Sequence, residues 1–554
     1  LRAAGANAAG ATGRHRRRAV IGTALALTTA DLLTLHRGDA RARVAVVDGP
    51  RRVTYGELQQ RVEALAARLH ALGLRRGDRV LVHLRKCLEE VVALFACWRL
   101  GLIAVDVHAA WTVEQLAFVA DDAGATALLV DARRARELAA LPPPIAHAIV
   151  TEKQPVGPCE PWPTTGGPAP DAPLLDVDLA AIMYTSGSTG SPKGVMFTHA
   201  NLLVGARSVA RYTEQGPDDR LLSVLPFNFD YGLNQLLTAF LVGARVVLMP
   251  LTMPSALVQT MVAEGVTGVG AVPPVWVPLV HYLEAVPTPL PALRYVTNSG
   301  GAIPGPILDA LPRVFPGARV HLMYGLTEAF RSTALPPERF AHKRGSIGRA
   351  VPNVETFVVV PGRGPAAPGE IGELVHRGSF ITRGYWRAPE RTAARIRPAP
   401  ELPWLGDEKL VWSGDLVRQD EDGDLWFVGR TDAMIKTMGF RVSPTEVEDV
   451  VFRSGLVTHV VAYGVPDEVA GQVIEVCVAH AQPVDRTGLI AWVRSHLPSH
   501  MIPRAVHVWP GEMPRTAAGK IDVPAVVKAC AARQDVPPAG TPAARPNADD
   551  PRRT

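Results

Sequence analysis

Residues 184–196, YTSGSTGSPKGVM, join three glycines, a run of serine and threonine hydroxyls and one lysine in a single short stretch. Glycines let a backbone turn tightly and approach a ligand closely, and successive N–H groups in such a turn form an anion-binding hollow. The chemistry this combination suits is phosphate binding, although a glycine-rich run taken alone is more often a surface turn. It is not the P-loop of nucleoside triphosphatases, whose lysine directly follows the last glycine and precedes a serine or threonine for the metal. Here Pro192 precedes Lys193 and Gly194 follows it, so no hydroxyl stands at the metal-ligand position. The apolar run just before, LAAIMYT, reads as a buried strand feeding the turn. The loop is phosphate-shaped but belongs to another class.

Such a loop needs a scaffold. A chain of 554 residues exceeds what one core supports, so two or more domains are expected. A hydrophobic share of 47% against 20% charged residues is that of a globular protein with a sizeable core. The net charge of +5 is mild, and much of the excess lies in RHRRR near the start, so the body carries no nucleic-acid footprint. The five cysteines lack metal-ligand spacing and suit a reduced, cytoplasmic setting. The basic then apolar stretch RHRRRAVIGTALALTT looks superficially like a signal peptide, but residues 1–28 are expected to be a disordered or over-extended tail. No membrane span is expected.

Along the body, helical and strand-like segments alternate. TYGE at residues 54–57 is a capping box, followed at helical spacing by Leu58, Val62, Leu65, Leu69 and Leu72, and terminated by Gly73. DRVLVHL then reads as a strand. VEQLAFVADDAG with ATALLVD, and NQLLTAFLVG with ARVVLMP, repeat the pairing. The Pro/Gly-rich residues 152–175 read as a surface loop. After GELVHRGS the character changes: VWSGDLVRQDEDGDLWFVGR gives two strands around an Asp-Gly turn. A second hairpin-like run follows, then a helix capped by Ser443 with Pro444 first inside and Glu446 completing a box. Residues from Asp535 onward have the composition of a disordered tail.

Seven motifs stand in order along this frame: YTSGSTGSPKGVMFTH, NSGGAIP, MYGLTE, GELVHRGSFITRGYW, WSGDL, GRTDAMIKTMGFRVSPTEVE and PRTAAGK. With them the chain resembles the AMP-forming adenylating enzymes, which comprise acyl-CoA synthetases, amino-acid adenylation domains and luciferase. It is most like an AMP-dependent acyl-CoA ligase. The resemblance runs from about residue 29 to 522. It implies an α/β fold: a large N-terminal adenylate-forming domain of packed β-sheets with helices at 29–428, a hinge at 429–432, and a small mobile C-terminal α+β domain at 433–530. Residues 531–554 would be a second tail.

The implied reaction joins two anions. A carboxylate attacks the α-phosphate of ATP, pyrophosphate leaves, and the acyl-AMP is then passed to a thiol of coenzyme A or of a carrier-protein phosphopantetheine. By the resemblance, Thr185, Ser186, Gly187, Ser188, Thr189, Gly190 and Lys193 cradle the β- and γ-phosphates. Glu328 ligates magnesium, Thr327 bonds the α-phosphate, and Tyr324, with Gly325 behind it, lies against the adenine. Asp415 accepts from the ribose hydroxyls with Arg430 as a nearby donor. Gly300 and Gly301 form the adenine wall. Lys520 bridges the carboxylate and phosphate oxygens in the transition state. It must then leave, by rotation about Asp432, for the thiol to arrive past Gly439, while Arg441 exchanges phosphate contacts. His199 and Asn201 read equally as a helix start or as part of the machinery.

The acyl pocket departs from the common pattern. Where many acyl-CoA synthetases carry a histidine or aromatic residue, a small residue and glycine, this chain has Phe229, Asp230 and Tyr231. A Phe-Asp pair there resembles amino-acid adenylation domains, in which the aspartate meets the substrate ammonium. The alternative is that Asp230 caps the following helix. Arg331 is a second charged candidate, and Ala271, Asn298 and Met323 are expected to line the same pocket. Three functions follow: an acyl-CoA ligase, an aminoacyl or acyl ligase loading a carrier protein, and a non-catalytic nucleotide-binding protein. The presence of Lys520, Glu328 and Asp415 disfavours the last.

Overall fold

The computed structural model describes residues 26–534 except 139, 186–191, 251, 432, 438–439, 468–469, 481–482 and 517–518. The capping box at Thr54 forms as read: the hydroxyl accepts from Glu57 N–H at 3.2 Å and the Glu57 carboxylate accepts from Thr54 N–H at 2.8 Å. Helix Tyr55–Ala71 buries Leu58, Val62, Leu65 and Leu69, and Gly73 ends it with φ +92°.

Strands and helices of this kind build two parallel sheets. Among the described residues one has nine strands, with Arg319–Tyr324, Tyr295–Asn298, Gly268–Ala271, Arg220–Ser223, Arg245–Leu248 and Val44–Asp48 running parallel through its centre. The other has seven and ends in the antiparallel pair Leu179–Thr185 and Lys193–Thr198. Helices Tyr55–Ala71, Leu88–Arg99, His199–Tyr212 and Asp230–Val242 lie between the sheets in one continuous core, as apolar strands buried on both faces require. Ala26 and Thr28, at the end of the expected N-terminal tail, are already buried, as is Thr29, which follows it.

A third, antiparallel sheet contains the expected Asp-Gly hairpin, strands Leu410–Gln419 and Leu425–Arg430, with Gly423 at φ +85° in the turn. A separate five-stranded sheet with helices Pro444–Arg453 and Arg486–His496 forms the small C-terminal α+β unit. One expectation fails here. Helix Pro444–Arg453 starts where expected, but Ser443 makes no side-chain cap and its buried hydroxyl has no partner. Its Oγ packs so close to Gly429 that a Cβ there would stand 3.3 Å away, and packing against the hairpin displaces the local cap. No described helix is long and apolar enough to cross a membrane.

Candidate active site

Several candidate residues leave the carboxyl ends of parallel strands, where open α/β sheets place their ligands. Asn298 ends its strand and leads into Ser299, Gly300 and Gly301, and Tyr324 ends the next and leads into Gly325, Thr327 and Glu328. Ala271, fully buried, ends a third, its carbonyl accepting from Trp276 Nε1 at 3.1 Å. Thr185 and Lys193 face each other in register across the antiparallel pair. Ser186, Gly187, Ser188, Thr189 and Gly190 lie outside the described residues.

The third sheet supplies the opposite wall. Asp415 and Arg430 are cross-strand partners, and Arg430 Nη1 donates to Asp415 Oδ1 at 2.8 Å. The Tyr324 hydroxyl donates to Asp415 Oδ2. Burial and the neighbouring carboxylate both push the phenol above the usual tyrosine range, so it stays a donor. Tyr324, Asp415 and Arg430 are thus brought together. Behind Tyr324 the ring of His376 is near-parallel at 6.1 Å, and burial takes that histidine to about 3, which keeps it neutral.

Glu328 has a partner the sequence reading missed: Tyr385, whose hydroxyl donates to its Oε1. Residues 383–386 run beside strand Lys193–Thr198, with Met196 N–H on the Gly384 carbonyl at 2.9 Å and Trp386 N–H on the Gly194 carbonyl at 2.7 Å. The motif GSFITRGYW therefore ties the phosphate-loop strand to the magnesium candidate. Its tyrosine was the available signal. Asn201 reinforces the tie, closing the cap of its own helix and donating to the carbonyls of Ser379 and Ile381 at 2.8 and 3.0 Å. His199 is a buried helix-start residue whose Nδ1 meets the Thr29 hydroxyl at 2.7 Å, and burial lowers it to about 4.

Lys520 comes from the small domain on a tight turn. Thr516 N–H donates to the Lys520 carbonyl at 2.7 Å, Arg515 bridges Ile521, and Gly519 has φ +77°. The turn delivers the ammonium 5.7 Å from the Phe229 ring centroid. Lys520 is nevertheless exposed to solvent. Desolvation lowers its pKa, Asp230 and Asp415 oppose that, and Arg331 adds to it, so charges from both the acid pocket and the ribose wall reach it. Asp432 and Gly439 lie outside the described residues. Arg441 pairs with Lys436 through strand Phe440–Val442, an account of its backbone alone.

Gly300 is the contact between Lys520 and the wall. A Cβ there would stand 3.2 Å from Lys520 Cε and 3.3 Å from Phe229 Cζ, on a backbone with φ +80°. Gly301 lacks that backbone strain and would meet only the Pro273 ring, at 3.3 Å. Gly300→Ala is expected to lower acyl-AMP formation about tenfold, because its Cβ would press on Lys520 Cε, and separately to cost about 1–2 kcal/mol of stability through the left-handed backbone. Gly301→Ala should cost less; the check is kcat/KM of both variants, and equal losses would remove Lys520 from this contact.

In the acid pocket Asp230 is not the helix cap. Phe229 holds that position, and Asp230 is the first helical residue, its Oδ1 accepting from Tyr231 N–H at 2.8 Å. Asp230 is 5% exposed and Arg331 2%, with Arg331 Nη1 standing 4.0 Å from Asp230 Oδ2. Burial raises the Asp230 carboxyl, and Arg331 then Lys520 oppose the rise. The Tyr231 hydroxyl donates to the Thr297 carbonyl at 2.9 Å. Beyond it lies a cavity of about 20 Å³ lined by Tyr231, Asn234, Gln235, Thr297 and Met323, room for about one water. Met323 Sδ is taken up by the Tyr212 hydroxyl at 2.9 Å, and Asn298 Nδ2 by the Gly301 carbonyl at 2.9 Å.

The donor set suits a nucleotide and its metal. The absence of a side chain at Gly300 lets Lys520 and Phe229 approach, buried Asp415 with exposed Arg430 would take ribose hydroxyls, and Glu328 offers the carboxylate that would hold magnesium. Asp420, Asp422 and Asp424 also cluster among the described residues, but Arg339, Lys343 and Arg349 already pair with them.

Residues 36–386 match the AMP-binding enzyme family, and residues 446–520 match the AMP-binding enzyme C-terminal domain. The chain is 32% identical to a feruloyl-CoA synthase of an Amycolatopsis species over 86% of its length and 94% of that protein. It is 33% identical to the L-proline–[L-prolyl-carrier protein] ligase of Streptomyces coelicolor, covering 87% and 92%. It spans only 6% and 9% of linear gramicidin synthase subunits C and D of Brevibacillus parabrevis, at 30% and 29% identity. Among solved structures, o-succinylbenzoate coenzyme A synthetase from Bacillus subtilis, in complex with ATP and magnesium ion, superposes with a TM-score of 0.76. The match is 25% identical and covers 89% of this chain and 98% of that one. An anthranilate CoA ligase in complex with anthranoyl-AMP shares the fold, with a TM-score of 0.82 at 23% identity over 92% and 99%. The chain belongs to the AMP-binding enzyme family.

Proposed function

We propose that this protein activates a carboxylic acid with ATP, releasing pyrophosphate, and passes the acyl group from acyl-AMP to a thiol, in the leading reading that of coenzyme A. The observation that supports it is the place of Lys520, a cation from the small domain against Gly300 and Phe229 that feels Asp415 on one side and Asp230 on the other. Negative charge builds there as a carboxylate meets an α-phosphate, and a positioned cation stabilises it. Thr327 and Lys193 would hold phosphate oxygens, Asp415 with Arg430 the ribose, and Glu328 the magnesium. Bound magnesium supplies further neutralisation of the phosphates. Rotation of the small domain would then free the acyl carbonyl for the thiol.

A second reading, an amino-acid ligase loading a carrier protein, is favoured by one observation: a buried carboxylate, Asp230, in the acid pocket. ATP–pyrophosphate exchange over a panel of carboxylic and amino acids tests activation, and coenzyme A against a phosphopantetheinylated carrier protein tests the acceptor. Absence of exchange with every acid would leave a nucleotide-binding protein without this chemistry. Asp230→Ala separates the two readings. Because it strands a buried guanidinium, it should cost about 3–5 kcal/mol of stability in either case. If the substrate is an amino acid, it should also weaken that acid by about 2–5 kcal/mol relative to the des-amino acid of the same shape. The measurements are a denaturant titration and kcat/KM for the matched pair. An unchanged ratio would sink the amino-acid reading.

A further inference from the structure

Arg331 is almost fully buried, yet only one of its three guanidinium nitrogens is hydrogen-bonded. Nη1 donates to Ser299 Oγ at 3.3 Å and faces Asp230 at 4.0 Å, beyond hydrogen-bond reach. Nε and Nη2 are both buried without a partner. These two nitrogens share one edge of the guanidinium plane, and their N–H bonds run side by side. That edge matches the two oxygens of a carboxylate. Leaving it empty in a buried cation is costly, so a partner arriving with the ligand accounts for it. Asp230 does not fill the role, since one oxygen is committed to Tyr231 N–H and the other stops short.

The surroundings limit where such a partner sits. The guanidinium lies over the Tyr231 ring, 4.6 Å from its centroid, and the hydroxyl of that ring closes the floor on Thr297. Lys520 stands over the Phe229 ring, whose centroid is 6.3 Å from that of Tyr231, so the two cations flank one pair of rings. Resting on the adenylation reading, we infer that the acid activated here is short and carries a second carboxylate, received by the Nε–Nη2 edge of Arg331 while Lys520 takes the reacting one. Burial raises the Asp230 carboxyl, which favours its taking up a proton as a second carboxylate arrives.

The test uses four acids of equal carbon number in ATP–pyrophosphate exchange: butyrate, succinate, 2-aminobutyrate and aspartate. Within each pair, with or without the amino group, the second carboxylate should raise kcat/KM about a hundredfold, chiefly through KM. Arg331→Met and Arg331→Lys should collapse that ratio, lysine keeping part of it as a charge without the fork. Melting curves report whether each variant folds, and the wild-type panel decides the matter even if neither does. Equal kcat/KM within both pairs for the wild type overturns the inference while adenylation stands, as does one common loss across all four acids in folded Arg331→Met. Exchange restricted to longer monocarboxylic acids overturns it too. Absence of exchange with every acid overturns the adenylation reading, and this inference with it.

Discussion

Lys520→Ala is expected to lower acyl-AMP formation about a hundred- to thousandfold, the loss typical of removing one preorganised donor from developing negative charge. Thiol transfer from supplied acyl-AMP should survive, because in that half-reaction the carbonyl must be uncovered. The geometry separates the two steps. Lys520 stands against Gly300 and over Phe229, so in this arrangement it reaches from the small domain to the wall of the large one. Its charge matters most where carboxylate and phosphate oxygens converge, and matters little once pyrophosphate has gone. The measurement is single-turnover formation of acyl-AMP from acid and ATP, beside thioester formation from synthetic acyl-AMP. Equal losses in both would remove Lys520 from the first step and make it a general binding residue.

Much of the scaffold was legible because it is written locally. The capping box at Thr54, the stop at Gly73 and the Asp-Gly hairpin between Gln419 and Leu425 each depend on residues a few positions apart, and each forms. Ser443 carries an equally clear local signal and fails. Its hydroxyl lies against Gly429 across the hairpin, a tertiary contact that no window around the helix start contains. The site divides in the same way. The glycine turns and the carboxylates of YGLTE and SGDL could be named from composition and order. Tyr385 on Glu328, Tyr324 on Asp415 and the incomplete pair of Asp230 with Arg331 could not, since each joins segments far apart in sequence. Burial decides the last of these. A charged pair at the surface would need no further partner, whereas at 5% and 2% exposure the same incomplete pair is costly.

Asp432→Pro is expected to abolish thiol transfer, by about a hundredfold or more, while acyl-AMP still accumulates at one equivalent per enzyme. The expectation follows from how the chain is tied on either side of that residue. Before it, Thr431 gives both its N–H and its hydroxyl to the Gly414 carbonyl, at 2.8 and 2.9 Å, and Arg430 is held on Asp415, so the large domain reaches as far as Thr431. After it, Ala433 and Met434 N–H both return to the Arg430 carbonyl, at 3.2 and 3.1 Å, and the small-domain sheet begins at Ile435. The last two bonds span Asp432, so a rotation that carries Lys520 away must break them and turn the chain at or beside that residue. Proline fixes φ near −65° there, which holds the chain near one arrangement and denies it the other. If the held arrangement is the one with Lys520 in place, adenylation proceeds and the product waits. Rapid-quench measurement of acyl-AMP and thioester in the same reaction distinguishes the steps. Steady-state turnover with the thiol equal to wild type would show that the pivot lies elsewhere and that the rotation does not depend on Asp432.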